Sequence, residues 1–213
     1  MTQTIAVIDY GVGNLRSVVK ALEFVANKDA KVILTDNPER VATADRVVFP
    51  GQGAAKDCMR ALNEHGLDEV VRKAAAEKPF LGICMGLQVL MTHSEENDGT
   101  DLLNIYSGEV KHFPRDFPSR GMKIPHMGWN TLQEVRPHPL FADIPDGSHF
   151  YFVHSYYVAP KDASLMVGET DYGIKYAAAI ARENVFAIQC HPEKSAEYGL
   201  QLLKNFIHWD GQA

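Results

Sequence analysis

A chain of 213 residues with 46% hydrophobic side chains can bury one substantial core, and we expect residues 1–213 to form a single globular domain. Its formal net charge of -6 provides no general attraction to phosphate backbones, so no nucleic-acid partner is expected. No apolar run approaches the ~20 residues that span a bilayer, and Asp9 and Arg16 interrupt the segment where a secretory signal would lie. We therefore expect a cytoplasmic protein without a membrane partner, whose cysteines Cys58, Cys84 and Cys190 stay reduced.

Strand and helix patterns alternate along the first half of the chain. Strands are predicted at Thr4 to Asp9, Lys31 to Leu34, Arg46 to Phe49 and Phe80 to Cys84, and helical segments at Leu15 to Val25 and, with a break near Gly66, Ala54 to Ala76. The Phe80 to Cys84 run is apolar throughout, which suits a parallel strand covered on both faces. This alternation predicts a doubly wound α/β fold, with a mostly parallel sheet and helices on both of its faces.

The character of the chain changes after the middle. From Gly108 to Ala181, turns and alternating segments such as Phe150 to Ala159 predict an antiparallel extension of the same domain. Val185 to Gln189 predicts one more buried strand. Ala196 to Trp209 predicts a closing amphipathic helix, whose apolar side carries Leu200, Leu203, Phe206 and Ile207.

Cys84 lies at the turn where a buried strand passes into a predicted helix, Leu87 to Met91. Gly82-Ile83-Cys84-Met85-Gly86 has the glycine-flanked form of a nucleophile elbow, a sharp turn that exposes the side chain of its central residue. The positive end of a helix there would favour the reactive thiolate, and the backbone N–H groups would stabilise an oxyanion. The alternative is a small, buried, unreactive cysteine.

A base for this thiol is predicted at Gln189-Cys190-His191-Pro192-Glu193, directly after the last apolar strand. Glu193 can orient the imidazole of His191 while the other ring nitrogen faces the thiol, which would complete a Cys-His-Glu triad. A solvated turn is the alternative for this segment. Cys58 and Cys190 are better explained by packing.

A third loop, Pro50-Gly51-Gln52-Gly53, also follows a buried strand. Its glycines would let the backbone rotate and present a peptide N–H as a second oxyanion donor, although an ordinary glycine-rich turn is the alternative. The Gly11-Val12-Gly13 turn lacks the third glycine of a dinucleotide-binding fingerprint. No cofactor is expected, and no metal, because none of the nine histidines stands in a metal-binding pattern.

Taken together, the loops at Gly51, Cys84 and His191 resemble, in chain order, those of the class I (triad-type) glutamine amidotransferases, which have a flavodoxin-like fold. Asp9 to Leu15 (DYGVGNL), Pro125 to Asn130 (PHMGWN) and Lys194 further resemble the HisH-type glutaminase subunits of imidazole glycerol phosphate synthase, from histidine biosynthesis. The resemblance runs from about Thr4 to Trp209. It implies that Cys84 attacks the carboxamide of L-glutamine and that ammonia is released.

The resemblance also implies roles for residues around the triad. Backbone N–H groups near Gln52 and Met85 would hold the oxyanion, and Gln88, Glu96 and the Ser155-Tyr156 backbone would hold glutamine. In the family, a small apolar residue usually stands where this chain has Gln52. A backbone donor does not depend on that side chain, so the difference bears on how the loop rotates.

The same resemblance implies a heterodimer with a (β/α)₈ cyclase subunit, which would receive the ammonia and produce imidazole glycerol phosphate and an aminoimidazole carboxamide ribotide. Residues that match the family's interface or gate segments are Asn14, Met127, Trp129, Tyr151 and Lys194, although Trp129 could instead be a core residue. Three alternatives stay open: a stand-alone cysteine hydrolase, another class I amidotransferase, and a non-enzymatic binding subunit.

Overall fold

The computed structural model describes residues 2–11 and 15–212, and within them strands and helices alternate as expected. The first half contains β1 (Gln3–Ile8), α1 (Leu15–Ala26), β2 (Ala30–Thr35), α2 (Pro38–Thr43), β3 (Arg46–Gly51), α3 (Ala55–Glu64), α4 (Asp68–Glu77), β4 (Phe80–Cys84) and α5 (Met85–Gln88). The second half contains β5 (His93–Ser94), β6 (Thr100–Asp101), β7 (Gly108–His112), β8 (His126–Thr131), β9 (Gln133–Glu134), β10 (His149–His154), β11 (Tyr156–Pro160), β12 (Met166–Asp171), β13 (Lys175–Arg182), β14 (Val185–Ile188) and α6 (Ala196–His208). Short 3-10 turns lie at Glu96–Asp98, Phe117–Arg120, Pro139–Phe141, Ala163–Leu165 and Pro192–Lys194.

The centre of the molecule is a parallel sheet with the strand order β2-β1-β3-β4-β14. Every residue of β4 is buried, as the continuous apolar run Phe80 to Cys84 predicted. This order is the doubly wound, flavodoxin-like arrangement, and ligands in such sheets bind beyond the carboxyl ends of the strands. The predicted fold class is confirmed.

Alternate residues of the parallel strands face two separate cores, one on each side of the sheet. Ile5 and Val7 of β1 pack with α1 and α6, whereas Ala6 and Ile8 pack with α2, α3 and α4. Within α6, Leu203, Phe206 and Ile207 are buried as predicted, but Leu200 is only half-buried and Leu202 takes its place in the core. Helices therefore cover both faces of the sheet, because each parallel strand is apolar on both sides.

The antiparallel extension is present: β13 and β11 continue the sheet beyond β14 in antiparallel pairing. The segment Phe150 to Ala159 is not one unit, however. It divides at Ser155 into β10, which pairs with β8 in a separate two-stranded sheet, and β11, which joins the large sheet. An alternating pattern predicts a strand but not its neighbours, because pairing partners are distant in sequence.

None of the helices in the described residues is long and apolar enough to cross a membrane.

Glycines allow α5 to pack directly against the sheet behind the nucleophile turn. A β-carbon on Gly86 would lie 1.8 Å from the carbonyl oxygen of Phe49, and one on Gly82 would lie 2.6 Å from the carbonyl oxygen of Gly86. These are backbone neighbours, which cannot move aside as a flexible side chain would. The close packing of α5 therefore requires glycine at both positions, as the sharp turn at Cys84 also does.

We predict that Gly86→Ala lowers the free energy of unfolding by at least about 3 kcal/mol, because the added methyl overlaps the β3 backbone. Gly66→Ala is the matched control. At Gly66 an added β-carbon meets nothing within 4 Å, so only the left-handed backbone at φ +63 opposes it, at about 1 kcal/mol. Urea unfolding of both variants measures the difference, and equal losses would contradict the packing argument.

Candidate active site

Cys84 occupies a strained turn at the carboxyl end of β4. Its backbone has φ 55 and ψ -104, a conformation that non-glycine residues adopt only where surrounding structure enforces it. The helix α5 begins at the next residue and has 4 residues, which is shorter and earlier than the predicted Leu87 to Met91. A helix of one turn has a small macrodipole, so the expected assistance to the thiolate from a helix dipole is correspondingly weak.

His191 and Glu193 form a buried pair beside the cysteine. The Nδ1 atom of His191 lies 2.8 Å from Oε1 of Glu193, and both side chains are 2% exposed. A carboxylate can only accept, so Nδ1 carries a hydrogen and donates it to Glu193. The other ring nitrogen, Nε2, has no hydrogen-bond partner within the described part of the chain.

The protonation of His191 depends on its two neighbours. Burial alone would lower the pKa of His191, but Cys84 and Glu193 together raise it to about 10. The carboxylate of Glu193 and the neighbouring Cys84 both stabilise the protonated ring by hydrogen bonding and charge. His191 is therefore protonated at neutral pH.

A cavity of about 330 Å³ opens beside Cys84 and His191, large enough for a small polar ligand. Its lining includes most of the residues expected to contact substrate: Gln52, Gly53, Cys84, Met85, Gln88, Glu96, Ser155, Tyr156 and His191. Val153 and His154 line it as well. Gly51 and Glu193 do not, since Gly51 is the buried last residue of β3 and Glu193 lies behind the imidazole.

The expected oxyanion donor of the loop does not face this cavity. The backbone N–H of Gln52 donates instead to the hydroxyl of Tyr10, at 3.2 Å. Tyr10 is 1% exposed and belongs to the core on the α3 side of the sheet. In this conformation the Gln52 N–H is therefore not directed at an oxyanion in the cavity.

Three of the expected glutamine contacts already make hydrogen bonds within the protein. Gln88 donates its Nε2 hydrogens to the carbonyl of Tyr156 at 3.2 Å and to Oε1 of Gln189 at 3.1 Å. The Tyr156 carbonyl also lies 2.7 Å from Nδ1 of His154, so both of its lone pairs are occupied. Gln88 can therefore offer a ligand only its Oε1. Glu96 is likewise anchored, since its Oε2 accepts the N–H of Ala55 at 2.7 Å.

Gln189 is a site residue that the sequence reasoning missed. It is fully buried, and its Nε2 lies 3.5 Å from Sγ of Cys84 while its Oε1 accepts from Gln88. A polar side chain that ends an apolar strand next to a candidate base was the available signal. Gln189 therefore connects Gln88, which holds the Tyr156 wall of the cavity, to the Cys84 thiol.

A second missed feature is a chain of hydrogen bonds running from the Pro125 to Asn130 motif to the cavity. The Tyr176 hydroxyl lies 3.2 Å from Nδ1 of His126 and 3.1 Å from Nε2 of His154, and the Nδ2 of Asn130 lies 3.3 Å from Nε2 of His126. Because a carbonyl only accepts, His154 must carry its hydrogen on Nδ1, and Tyr176 then donates to His154 and accepts from His126. Every donor is paired with an acceptor when both histidines are neutral.

Three of the expected interface residues, Met127, Trp129 and Tyr151, lie on the two-stranded sheet, and Lys194 lies beside them in the turn Pro192–Lys194. Met127 and Trp129 are 62% and 53% exposed, so the core alternative for Trp129 is wrong. Tyr151 pairs with Trp129 across β10 and β8, and the Nζ of Lys194 lies 5.9 Å from the centre of the Tyr151 ring. Asn14 lies outside the described residues.

Tyr151 also holds the His191 turn by its backbone. The N–H of His191 donates to the Tyr151 carbonyl at 2.9 Å, and the N–H of Tyr151 donates to Oγ of Ser195 at 3.0 Å. Oγ of Ser195 in turn donates to the His191 carbonyl at 2.6 Å. The exposed aromatic surface and the candidate base are therefore joined by hydrogen bonds between Tyr151, Ser195 and His191.

Fold and site together define a class: doubly wound α/β proteins with a thiol at a nucleophile elbow and a histidine–glutamate pair beside it. The family model for class-I glutamine amidotransferases matches residues 6–209. The subunit HisH of imidazole glycerol phosphate synthase from Hydrogenovibrio crunogenus is 54% identical over 208 residues, which cover 98% of this chain and 97% of that protein. The HisH subunit of Nitrosococcus oceani is 55% identical over 208 residues, covering 98% of each.

Solved structures agree at the level of the fold. PurLQS from Thermotoga maritima superposes with a TM-score of 0.71 at 20% identity, covering 98% of this chain and 99% of that one. A glutamine amidotransferase from the same organism gives 0.65 at 17% identity and covers 93% and 79%. The chain belongs to the class-I glutamine amidotransferases and, within them, to the HisH subunits of imidazole glycerol phosphate synthase.

Burial lowers the pKa of His126 to about 4 and that of His154 to about 3. We predict that both rings stay neutral, with the hydrogen on Nδ1 of His154 and Nδ1 of His126, from pH 5 to pH 8. The unfolded chain would bind protons at these rings below about pH 6.5, so their contribution to stability is complete above that pH and declines as the pH falls towards 4. Ring ¹⁵N shifts measured between pH 5 and pH 8 test this prediction, and titration of either ring within that range would contradict the network.

Proposed function

We propose that this chain hydrolyses glutamine to glutamate and ammonia through Cys84, His191 and Glu193, and delivers the ammonia to the cyclase subunit of imidazole glycerol phosphate synthase in histidine biosynthesis. The observation that carries the proposal is the strained Cys84 turn and the buried His191–Glu193 pair at one cavity of about 330 Å³. Identity of 49–55% to HisH subunits over nearly the whole chain supports the assignment.

The reaction begins with attack of the Cys84 thiolate on the carboxamide carbon of glutamine. A carbon–sulfur bond forms and the carbonyl oxygen becomes an oxyanion, which backbone N–H groups near Met85 and Gln52 stabilise. His191, held as the imidazolium, donates its Nε2 proton to the departing nitrogen as the carbon–nitrogen bond breaks. The products of this half-reaction are ammonia and a thioester on Cys84.

The second half-reaction consumes water. His191, now neutral, removes a proton from a water molecule that attacks the thioester carbon, and the thiolate leaves as glutamate forms. Glu193 keeps the proton of the imidazole on Nδ1 throughout, at 2.8 Å, so that Nε2 is the nitrogen that exchanges protons with the substrate.

Glutamine recognition in this proposal uses the rest of the cavity lining. The carboxylate of Glu96 is the charged group suited to an α-amino group. Gln88 already uses its Nε2 hydrogens, so Oε1 is the atom with which it can bind glutamine. Ser155 and Tyr156 form the wall at the amino-acid end. The Tyr156 carbonyl acts by fixing that wall, since it already accepts from Gln88 and lies within hydrogen-bond distance of His154.

The proposed partner is a (β/α)₈ cyclase that forms a heterodimer with this chain. At neutral pH free ammonia is mostly protonated and unreactive, so release is useful only beside an acceptor. Exposed Met127 and Trp129, with Tyr151 and Lys194, provide an apolar and aromatic surface whose backbone is joined to the His191 turn. The cyclase would use the ammonia to form imidazole glycerol phosphate and an aminoimidazole carboxamide ribotide.

We further propose that residues 1–213 act as one amidotransferase domain in the cytoplasm. The continuous sheet from β2 to β6 supports one domain, because parallel and antiparallel parts share the strand β14. The three free cysteines suit a reducing compartment.

We predict that Cys84→Ala reduces glutamine hydrolysis by at least about 10⁴-fold, because no other group can form the thioester. Cyclisation driven by added ammonium salt should persist in the complex with the cyclase, since that step does not use the thiol. Cys190→Ala is the matched control, because the Cys190 thiol is buried in the core and does not line the cavity. Residual glutaminase activity at a tenth of the wild-type rate would refute the assignment.

We also predict that the isolated chain hydrolyses glutamine slowly and is activated 10²–10³-fold when the cyclase carries its own ligand, the range expected for gaining one oxyanion donor, about 3–4 kcal/mol. The reason is that the Gln52 N–H faces Tyr10 and not the cavity. Steady-state assays of the chain alone, with the cyclase, and with cyclase plus ligand test this. Full activity in the isolated chain would favour a stand-alone cysteine hydrolase.

A further inference from the structure

A hydrogen bond joins the Gln52 backbone to the Tyr10 side chain, and the Tyr10 ring is held by packing in the core. The Tyr10 hydroxyl accepts the Gln52 N–H at 3.2 Å in the interior of the protein, on the side of the loop away from the cavity. The Tyr10 ring packs edge-on against Phe49, with ring centres 5.7 Å apart. Phe49 belongs to β3, the strand that leads into the loop, so the same strand carries both the loop and part of the packing for its partner.

Gly51 is the residue that lets the hydroxyl approach the loop. A β-carbon at Gly51 would lie 2.2 Å from the Tyr10 hydroxyl oxygen and 2.7 Å from Cβ of Met85. Any larger residue would displace either the hydroxyl or the residue that follows the nucleophile. Gly51 also pairs with Cys84 in the register of β3 and β4, so the contact forms directly beside the catalytic turn.

The hydroxyl is held in a state that can accept this N–H. Burial raises the pKa of Tyr10 far above its ordinary value, so the group remains a neutral hydroxyl at any physiological pH. The Cys58 thiol lies beside it and is neutral too, because burial raises the pKa of Cys58 to about 12. Neither group therefore carries a charge that would compete for the N–H.

We propose that Tyr10 is a positioning residue that holds the Gly51–Gln52 peptide with its N–H turned away from the cavity, and so keeps the oxyanion site incomplete until the peptide rotates. We refer to the Tyr10–Gln52 hydrogen bond as the latch. The inference rests on the proposed glutaminase function and adds the group that holds the inactive conformation. Rotation of this peptide changes ψ of Gly51 and φ of Gln52, and it is favoured at Gly51 because that residue has no β-carbon.

The latch stabilises only the inactive conformation. In the active conformation the Gln52 N–H would face the oxyanion, and the hydroxyl would keep its contact with the Cys58 thiol. Tyr10→Phe removes the acceptor and leaves a buried N–H unpaired in the inactive conformation, which shifts the population towards the active one. We expect glutamine hydrolysis by the isolated chain to rise about tenfold, equivalent to about 1.4 kcal/mol.

The test measures kcat and KM for glutamine in the isolated chain and in the ligand-saturated complex with the cyclase. For Tyr10→Phe we expect kcat of the isolated chain to rise about tenfold with KM unchanged, and kcat in the saturated complex to stay within about twofold of wild type, because the latch is already open there. Tyr106→Phe is the matched control. Tyr106 is a buried tyrosine of the same core that lies outside the site, so kcat of Tyr106→Phe should equal that of the wild type.

An unchanged or reduced kcat in isolated Tyr10→Phe, with a wild-type complex that hydrolyses glutamine, would overturn the latch. Hydrogen exchange at the Gln52 amide in the wild-type chain is an independent test that needs no activity. The latch predicts protection that Tyr10→Phe removes, and exchange at the rate of an exposed loop amide would also overturn it. A wild-type complex that fails to hydrolyse glutamine would contradict the proposed function instead, and the exchange result would still decide the latch.

Discussion

The turn at Cys84 is the constraint on which the rest of the site depends. The chain reverses sharply where the buried strand β4 ends, and this turn places Cys84 beside the cavity with a positive φ, which is uncommon for a non-glycine residue. The surrounding contacts enforce that conformation. Gly82 and Gly86 let α5 pack against the backbone of β3, and this close approach brings the Gly51 to Gly53 loop beside the thiol. Strain at one residue is thus offset by packing along two strands.

Hydrogen bonds around that turn join the cavity to the surface in two ways. Through side chains, Asn130, His126, Tyr176 and His154 lead to the Tyr156 carbonyl, and Gln88 and Gln189 continue to the thiol. Through the backbone, Tyr151 holds the turn that carries His191. Fully satisfied buried networks are rigid, because each missing partner would cost the desolvation of a polar group. The two-stranded sheet that carries Trp129 and the groups around the cavity are therefore joined by continuous hydrogen bonds.

Much of the site was predictable because its residues are close in sequence to strand ends. Parallel strands end at one edge of the sheet, so the loops after β3, β4 and β14 had to converge, and His191 and Glu193 had to lie on one side of a short proline turn. Gln189, Tyr176 and Tyr10 escaped prediction for a common reason. Each contributes through a partner that is distant in the chain, and no local pattern reports such a contact. The extent of α5 was also mispredicted: it covers Met85–Gln88 instead of Leu87 to Met91.

By itself the sequence determined the parallel strands β1, β2, β3, β4 and β14, the fold class, and the residues Cys84, His191 and Glu193 as a candidate triad, because hydrophobic periodicity and residue chemistry are local properties. Only the tertiary structure decided that Phe150 to Ala159 divides between two sheets, that Trp129 is exposed, and that Gln88 and Tyr156 hold each other. It also decided the direction of the Gln52 N–H. The peptide that follows Gly51 has little local preference because ψ of a glycine is only weakly restricted, so its orientation depends on which acceptor the folded chain brings near, and here that acceptor is Tyr10.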